Sequence, residues 1–139
     1  MGVAKVFPVQ TDYTNSDRIR QDKLQAHAIE AAEQCGGTYA PEVVGIKTLS
    51  AMHDAWPHAP QLLFCDESMV GEPSRLPDLP KGPWAIAIGP EGGFSERERD
   101  LLRAHPQSHA ISLGPRILRA DTAAVAALAL WQAALGDWV

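Results

Sequence analysis

Two loops carry the residue types best suited to ligand chemistry. The first is Gly-Pro-Glu-Gly-Gly-Phe-Ser at Gly89–Ser95, and the second is Ser-Leu-Gly-Pro-Arg-Ile-Leu-Arg-Ala-Asp-Thr at Ser112–Thr122. Each follows a short apolar stretch and leads into a segment of helical pattern. Loops at the carboxyl ends of strands are where α/β proteins bind ligands. Glycines there let the backbone approach a ligand and adopt positive φ. A β-branched residue at Gly92 is expected to occupy that approach space and to resist positive φ.

Other chemistries lack their residues. There is no Gly-x-Gly-x-x-Gly and no Gly-Lys-Ser/Thr, so the usual dinucleotide and P-loop signals are missing. The histidines give no metal site: Pro106 interrupts any helix aligning His105 with His109, and His53 and His58 straddle Pro57. His27 falls on a helix as a surface or core residue. No Gly-x-Ser-x-Gly elbow occurs, and Cys35 ends a helix, where nothing lowers a thiol's pKa.

The elements that must position the two loops are read from periodicity. Val3–Val9 reads as a buried strand, and residues 10–17 as a polar loop. Residues 18–35 read as a helix, with Leu24, Ala28, Ala31, Ala32 and Cys35 on one face, stopped by Gly36-Gly37. A short strand at Glu42–Val44, a helix at Lys47–Ala55, a strand at Gln61–Cys65 and a proline-rich loop at Gly71–Pro83 come next. Trp84–Ile88 is a strand, and Ser95 with Glu98 forms a capping box for a helix to about His105. Ala110–Leu113 is the last strand. Asp121 or Thr122 caps a final helix that stops near Gly136. Strands alternating with helices predict an α/β protein whose mostly parallel sheet has helices on both faces.

Ala123 to Trp131 is apolar all round, and a helix of that kind is buried on all sides. One sheet covers one side. A second subunit packed on Val125, Leu128, Ala129, Trp131 and Gln132 is the expected cover for the other, with Ala124 and Ala127 allowing close approach.

At 139 residues and 45% apolar, the chain is one domain with a real core. No run is long enough to span a membrane, and no signal peptide is evident. Cys35 and Cys65 read as reduced core thiols of a cytoplasmic protein. A net charge of −5 argues against tight, unaided binding to a polyanion. Basic residues nevertheless cluster at Arg18, Arg20 and Lys23, at Arg97, Arg99 and Arg103, and at Arg116 with Arg119.

The two loops, in this order and spacing, resemble the C-terminal domain of the RsmE family. That family comprises SPOUT-class, S-adenosylmethionine-dependent methyltransferases acting on N3 of a uridine in small-subunit (16S) ribosomal RNA. The matches are Gly89–Ser95, Leu113–Ala123, the helix segment Ala28–Gly36 and the strand end Leu62–Glu67. The resemblance implies an α/β knot, with a C-terminal trefoil, over residues 1–139. It also implies an N-terminal RNA-binding domain, resembling a PUA barrel, that is missing here. Gly37 stands where arginine is usual, Asp121 replaces glutamate, and Gln10–Thr14 lacks a common Arg-Ser.

Carried onto this chain, the resemblance implies a site for S-adenosyl-L-methionine. Its cofactor-binding residues are Leu63, Phe64, Gly89, Pro90, Glu91, Gly92, Gly93, Ile111, Leu113, Gly114, Ile117 and Leu118. The glycine-loop backbone would hydrogen-bond the adenine edge, with Leu113, Ile117 and Leu118 as walls. Arg119, Arg116 and Glu91 are the expected catalytic residues. Arginine suits a phosphate or a uracil carbonyl, which is the reading taken for Arg119, and an ion pair with Asp121 or Glu91 is its alternative. Glu91 is equally a partner of the following helix's dipole. The partners expected are ribosomal RNA and a second copy of the chain through the last helix, with no metal and no membrane. Two alternatives use the same loops: a SPOUT methyltransferase for another RNA, and a non-catalytic dimer that binds the cofactor or RNA.

Overall fold

Pro8 divides the N-terminal apolar stretch, because its ring nitrogen carries no proton for a strand ladder. The computed structural model describes residues 1–14, 18–56, 60–73 and 76–138. The expected single buried strand is instead two short ones, β1 (Lys5–Val6) and β2 (Val9–Gln10), and both residues of β1 are exposed. Next come α1 (Gln21–Gln34), β3 (Glu42–Val43), β4 (Lys47–Thr48) and α2 (Leu49–Asp54). β1 pairs in parallel with β3, and β2 with β4. Thr48 caps α2 through its side chain, so the expected helix begins two residues later than Lys47. Pro57 and His58 lie outside the described residues.

The helical face expected on α1 does not reach a core. No residue of α1 is buried, and Leu24 and Cys35 are exposed. Side-chain amides hold the helix to the strands. Gln21 donates to the Val43 carbonyl, and Gln25 both donates to Pro41 and accepts from Val43 N–H, all within 2.8–2.9 Å. The two-residue strands offer too little apolar surface for more. Cys35 is therefore not a core thiol.

The main sheet consists of β5 (Gln61–Cys65), β6 (Trp84–Ala87) and β7 (Ser108–Ile111), in the order β6-β5-β7 with every pairing parallel. Between β6 and β7 lies α3 (Glu96–Ala104), and α4 (Ala120–Ala134) closes the chain. β7 lies two residues earlier than Ala110–Leu113. Its pairing stops where Asp66 N–H meets the Ile111 carbonyl, and Ser112 then turns the chain through bonds with Gly114.

Alternation along β5 builds two cores. Phe64 joins Leu49, Phe94 and Leu102, from α2, the glycine loop and α3. Leu63 joins Ile111 and Leu76, against Trp131 and Ala134 of α4. Helices thus cover both faces of a parallel sheet.

α4 starts at Ala120 with Arg119 as its unassisted N-cap, and Asp121 sits inside the first turn. The bond from Ala123 N–H to the Arg119 carbonyl, at 2.7 Å, closes that turn ahead of the expected cap. Nor is α4 buried all round. Ala123, Ala127 and Gln132 are buried, whereas Val125 is 60% and Leu130 is 43% exposed. Gln132 is covered within the chain, donating to the Met1 carbonyl and accepting from Asp137 N–H. Among the described residues no helix is long and apolar enough to cross a membrane.

Candidate active site

The carboxyl ends of β5, β6 and β7 open onto a cleft of about 260 Å³. From the β6 end come Gly89, Pro90 and Glu91. From the β7 end come Ser112, Leu113, Gly114, Arg116, Ile117, Leu118 and Arg119, and α4 adds Ala120 and Ala123. The β5 end supplies Cys65, Asp66, Glu67 and Val70. The two glycine-bearing loops, separate in sequence, therefore share one concave surface, as parallel strands of neighbouring register require.

Some expected residues lie elsewhere. Leu63 and Phe64 are fully buried, one in each core, and Ile111 is 4% exposed within the Leu63 core. None lines the cleft. The residues of the β5 end that do line it begin one position later, because the strand stops at Cys65 and only there can the chain turn outward. Gly92, exposed, and Gly93, buried, follow directly on Glu91 and are not among the lining residues. Gly93, not Gly92, has positive φ, at +74°. A Cβ at Gly93 would lie 1.5 Å from a Glu67 carboxylate oxygen, and one at Gly92 would lie 3.1 Å from Cβ of Tyr13.

The polar groups differ in freedom. Asp66 is buried, accepts from the amide and hydroxyl of Ser68 at 2.9 and 2.7 Å, and is paired with Arg103. It fixes the turn Glu67–Met69. Arg119 lies 3.7 Å from Asp121, with both side chains mostly in water, a pair of little energetic consequence. Arg116 is exposed on the cleft rim with no ion-pair partner among the described residues. Glu91 is exposed on the same rim. Burial pushes the Cys65 thiol up to about 12, so it is a neutral wall and no nucleophile. Among the described residues no group of three or more His, Cys, Asp or Glu is placed to hold a metal ion.

The glycine loop is braced from behind. Ser95 caps α3 and forms the capping box with Glu98, which is 1% exposed. One Glu98 oxygen accepts from Ser95 N–H at 3.0 Å and the other from Asp12 N–H at 3.1 Å. Asp12 in turn accepts from the Ser95 hydroxyl at 2.6 Å and from Arg97 at 2.8 Å. These bonds hold its carboxyl below the usual carboxylate range, the Ser95 bond first and the Arg97 bond next. The segment Thr11–Thr14 is thereby fastened to the start of α3. Beside it, a second cavity of about 330 Å³ is lined by Thr11, Thr14, Val9, Leu49 and Phe94, and it shares Gly89 and Pro90 with the cleft. Periodicity gave no sign of this bracing, since it joins residues more than eighty positions apart.

A model of the RNA methyltransferase domain family matches residues 1–132. Ribosomal RNA small subunit methyltransferase E of Rickettsia conorii is 31% identical over 132 residues, covering 93% of this chain and 53% of that protein. Its namesake in Synechocystis is 32% identical over 136 residues, covering 93% and 44%. Among solved structures, ribosomal RNA small subunit methyltransferase E from Neisseria gonorrhoeae bound to S-adenosyl methionine superimposes with a TM-score of 0.84 at 30% identity, over 99% of this chain and 58% of that one. A methyltransferase from Legionella pneumophila in complex with the cofactor SAM gives 0.83 at 32%, over 96% and 56%. The chain spans about half the length of the curated relatives it matches.

Proposed function

Because this chain belongs to the RNA methyltransferase domain family, we propose that it transfers the methyl group of S-adenosylmethionine to N3 of a uridine in small-subunit ribosomal RNA. The observation that carries this reading is the single cleft formed by Gly89–Glu91 and Ser112–Ala120 at the ends of three parallel strands. The names of the relatives and the ligand of the Neisseria structure support it.

The cleft fits such a cofactor in kind. Leu113, Ile117, Leu118 and Ala123 offer an apolar wall for a heterocycle, while Glu67, Glu91 and Arg116 offer polar contacts around it. When bound, the cofactor supplies an electrophilic methyl carbon on a sulfonium. N3 of uridine must lose its proton for the new bond to form, and until the methyl group is transferred, with the neutral thioether as leaving group, the resulting negative charge is shared with the uracil oxygens. Arg116, exposed on the rim with no ion-pair partner among the described residues, is the group we assign to that charge. Glu91 is the carboxylate on the same rim suited to accept the proton.

We infer further that the loops after β6 and β7 form the trefoil knot of the SPOUT class, that the chain works in the cytoplasm, and that two copies pair through α4. The exposed Val125 and Leu130, with Ile117 71% exposed nearby in sequence, support the pairing. Ala127, fully buried, is a core residue and not a contact. Val125→Arg should yield a monomer by sedimentation equilibrium while the wild-type chain sediments as a dimer. A monomeric wild-type chain at tens of micromolar would reject the pairing.

The activity is tested by incubating the chain with small ribosomal subunits and radiolabelled S-adenosylmethionine, then digesting the RNA. 3-Methyluridine is the expected product, lost in Arg116→Ala. Label in another nucleoside, or none, would overturn the assignment.

A further inference from the structure

We propose that Tyr13 is a stacking platform for the unpaired RNA base that enters the cleft. The inference rests on the activity proposed above and adds a substrate contact to it.

The chemistry sets the requirement. N3 lies on the Watson–Crick edge of uracil and is hydrogen-bonded in any duplex, so the base must be presented unpaired and unstacked. Proteins that hold single-stranded RNA replace the lost stacking with an aromatic face.

Four aromatic side chains are exposed among the described residues: Phe7, Tyr13, Tyr39 and Trp138. Phe7 packs edge-on against Trp56. The Tyr39 hydroxyl donates to the Ala4 carbonyl beside the outlying β1 strand. Trp138 lies beyond the end of α4. Tyr13 is 51% exposed, and its Cβ lies against Gly92 of the loop that forms one side of the cleft.

The backbone on each side of Tyr13 is fixed. Asp12 is bonded to Ser95, Arg97 and Glu98. Thr14 bonds back to Thr11 through its hydroxyl, which receives Thr11 N–H at 3.0 Å and shares a bond with the Thr11 hydroxyl at 2.7 Å. A buried carboxylate, Glu98, anchors the whole segment. The backbone that carries the ring is therefore set, while the side chain is half exposed to solvent. That combination lets a base stack with little ordering cost, since a tyrosine has few torsions to fix and its backbone is already set. Tyr13 makes no side-chain hydrogen bond among the described residues, yet side-chain bonds on both sides of it fix the segment that carries it.

The test compares wild type, Tyr13→Phe and Tyr13→Ala. Methyl transfer to small ribosomal subunits, affinity for S-adenosylhomocysteine, and photocrosslinking to a single-stranded RNA carrying one 5-iodouridine are measured on each. Stacking worth roughly 1–3 kcal/mol per base converts to a loss of about 5- to 150-fold in kcat/KM for Tyr13→Ala. That loss should appear in KM for RNA. Tyr13→Phe should stay within about twofold of wild type, cofactor-product affinity should be unchanged in both, and the crosslink should map to residue 13. Full activity in Tyr13→Ala, a crosslink elsewhere, a Phe variant as poor as Ala, or weakened binding of S-adenosylhomocysteine would each overturn the inference. Absence of methyl transfer by the wild-type chain would overturn the proposed activity, and the crosslink, which needs no turnover, would still decide the stacking.

Discussion

Replacing Gly93 with alanine separates two effects that this position combines. The residue has φ +74°, and an L-residue held in the left-handed region costs about 1–2 kcal/mol. The reduced freedom of the unfolded chain returns roughly 0.4–1 kcal/mol, leaving a net loss of about 1 kcal/mol, or a fall in Tm of about 4 °C. The new Cβ would also lie 1.5 Å from the Glu67 carboxylate. That clash adds little to the cost, because Glu67 is exposed, makes no side-chain hydrogen bond among the described residues and can rotate away. Where it rotates matters, since Glu67 lines the cleft. Gly93→Ala should therefore lose stability and also bind S-adenosylhomocysteine about tenfold more weakly, equivalent to about 1.4 kcal/mol. In the double variant with Glu67→Ala, affinity should equal that of Glu67→Ala alone, because no displaced carboxylate is left in the cleft, while the stability loss remains. Chemical denaturation and titration calorimetry on these variants read the two effects separately. Undiminished stability in Gly93→Ala, or full recovery of stability in the double variant, would refute the assignment of the cost to backbone conformation.

Other substitutions probe the bracing and the thiols. Glu98→Ala removes the acceptor of two backbone N–H groups, one of them buried, and should lower unfolding free energy by about 2–4 kcal/mol in urea titrations; Glu96→Ala, at an exposed position of the same first turn, should cost under about 0.5 kcal/mol. At pH 8, Ellman's reagent should label the exposed Cys35 rapidly and Cys65 only after denaturation, because burial raises the Cys65 thiol to about 12. From the same shift, the thiol favours the folded state less as pH climbs from about 9 to about 12, where only the unfolded chain ionises, and Cys65→Ala should flatten that alkaline decline. Asp12 has a folded pKa below its ordinary 3.8, so its contribution is present above that pH and is lost as pH falls through the lowered value. Asp12→Asn should therefore reduce the dependence of unfolding midpoint on pH in the acid range and leave it unchanged near neutrality.

Much of the sheet was legible because burial on both faces leaves a plain record: Gln61–Cys65 is apolar and bounded, and it is β5 with those bounds. The Ser95–Glu98 capping box was equally plain, since its spacing is local. What failed was non-local or depended on partners. Val3–Val9 contains strand-forming residues, but its pairing partners are two residues long and Pro8 interrupts the ladder. The apolar face of α1 had no opposing layer to meet. The loop residues Gly89–Glu91 and Leu113, Gly114 and Arg116–Arg119, singled out by type and spacing, lie together on one cleft. Leu63, Phe64 and Ile111 lie in the two cores and not on the cleft, and sequence does not tell these apart because apolar strand ends look alike whether they face a core or a ligand. The rule that ligands sit beyond the last strand residue, applied to β5, selects Asp66 and Glu67, which the sequence reading did not name among the site residues. Tyr13 had no signal in sequence, because only the fold brings Thr11–Thr14 against the glycine loop.

The bare helix α1 has a consequence for how the molecule opens. With no buried residue, and with Gln21 and Gln25 its side-chain fastenings to the β3 strand and its flank among the described residues, α1 can detach without disturbing either core. Its amides should then exchange with deuterium through a local opening of small free energy, while those of β5 exchange only when the whole domain unfolds. The chain thus behaves as two thermodynamic layers, an outer one of helix and short strands that breathes, and an inner one that holds the ligand loops in place.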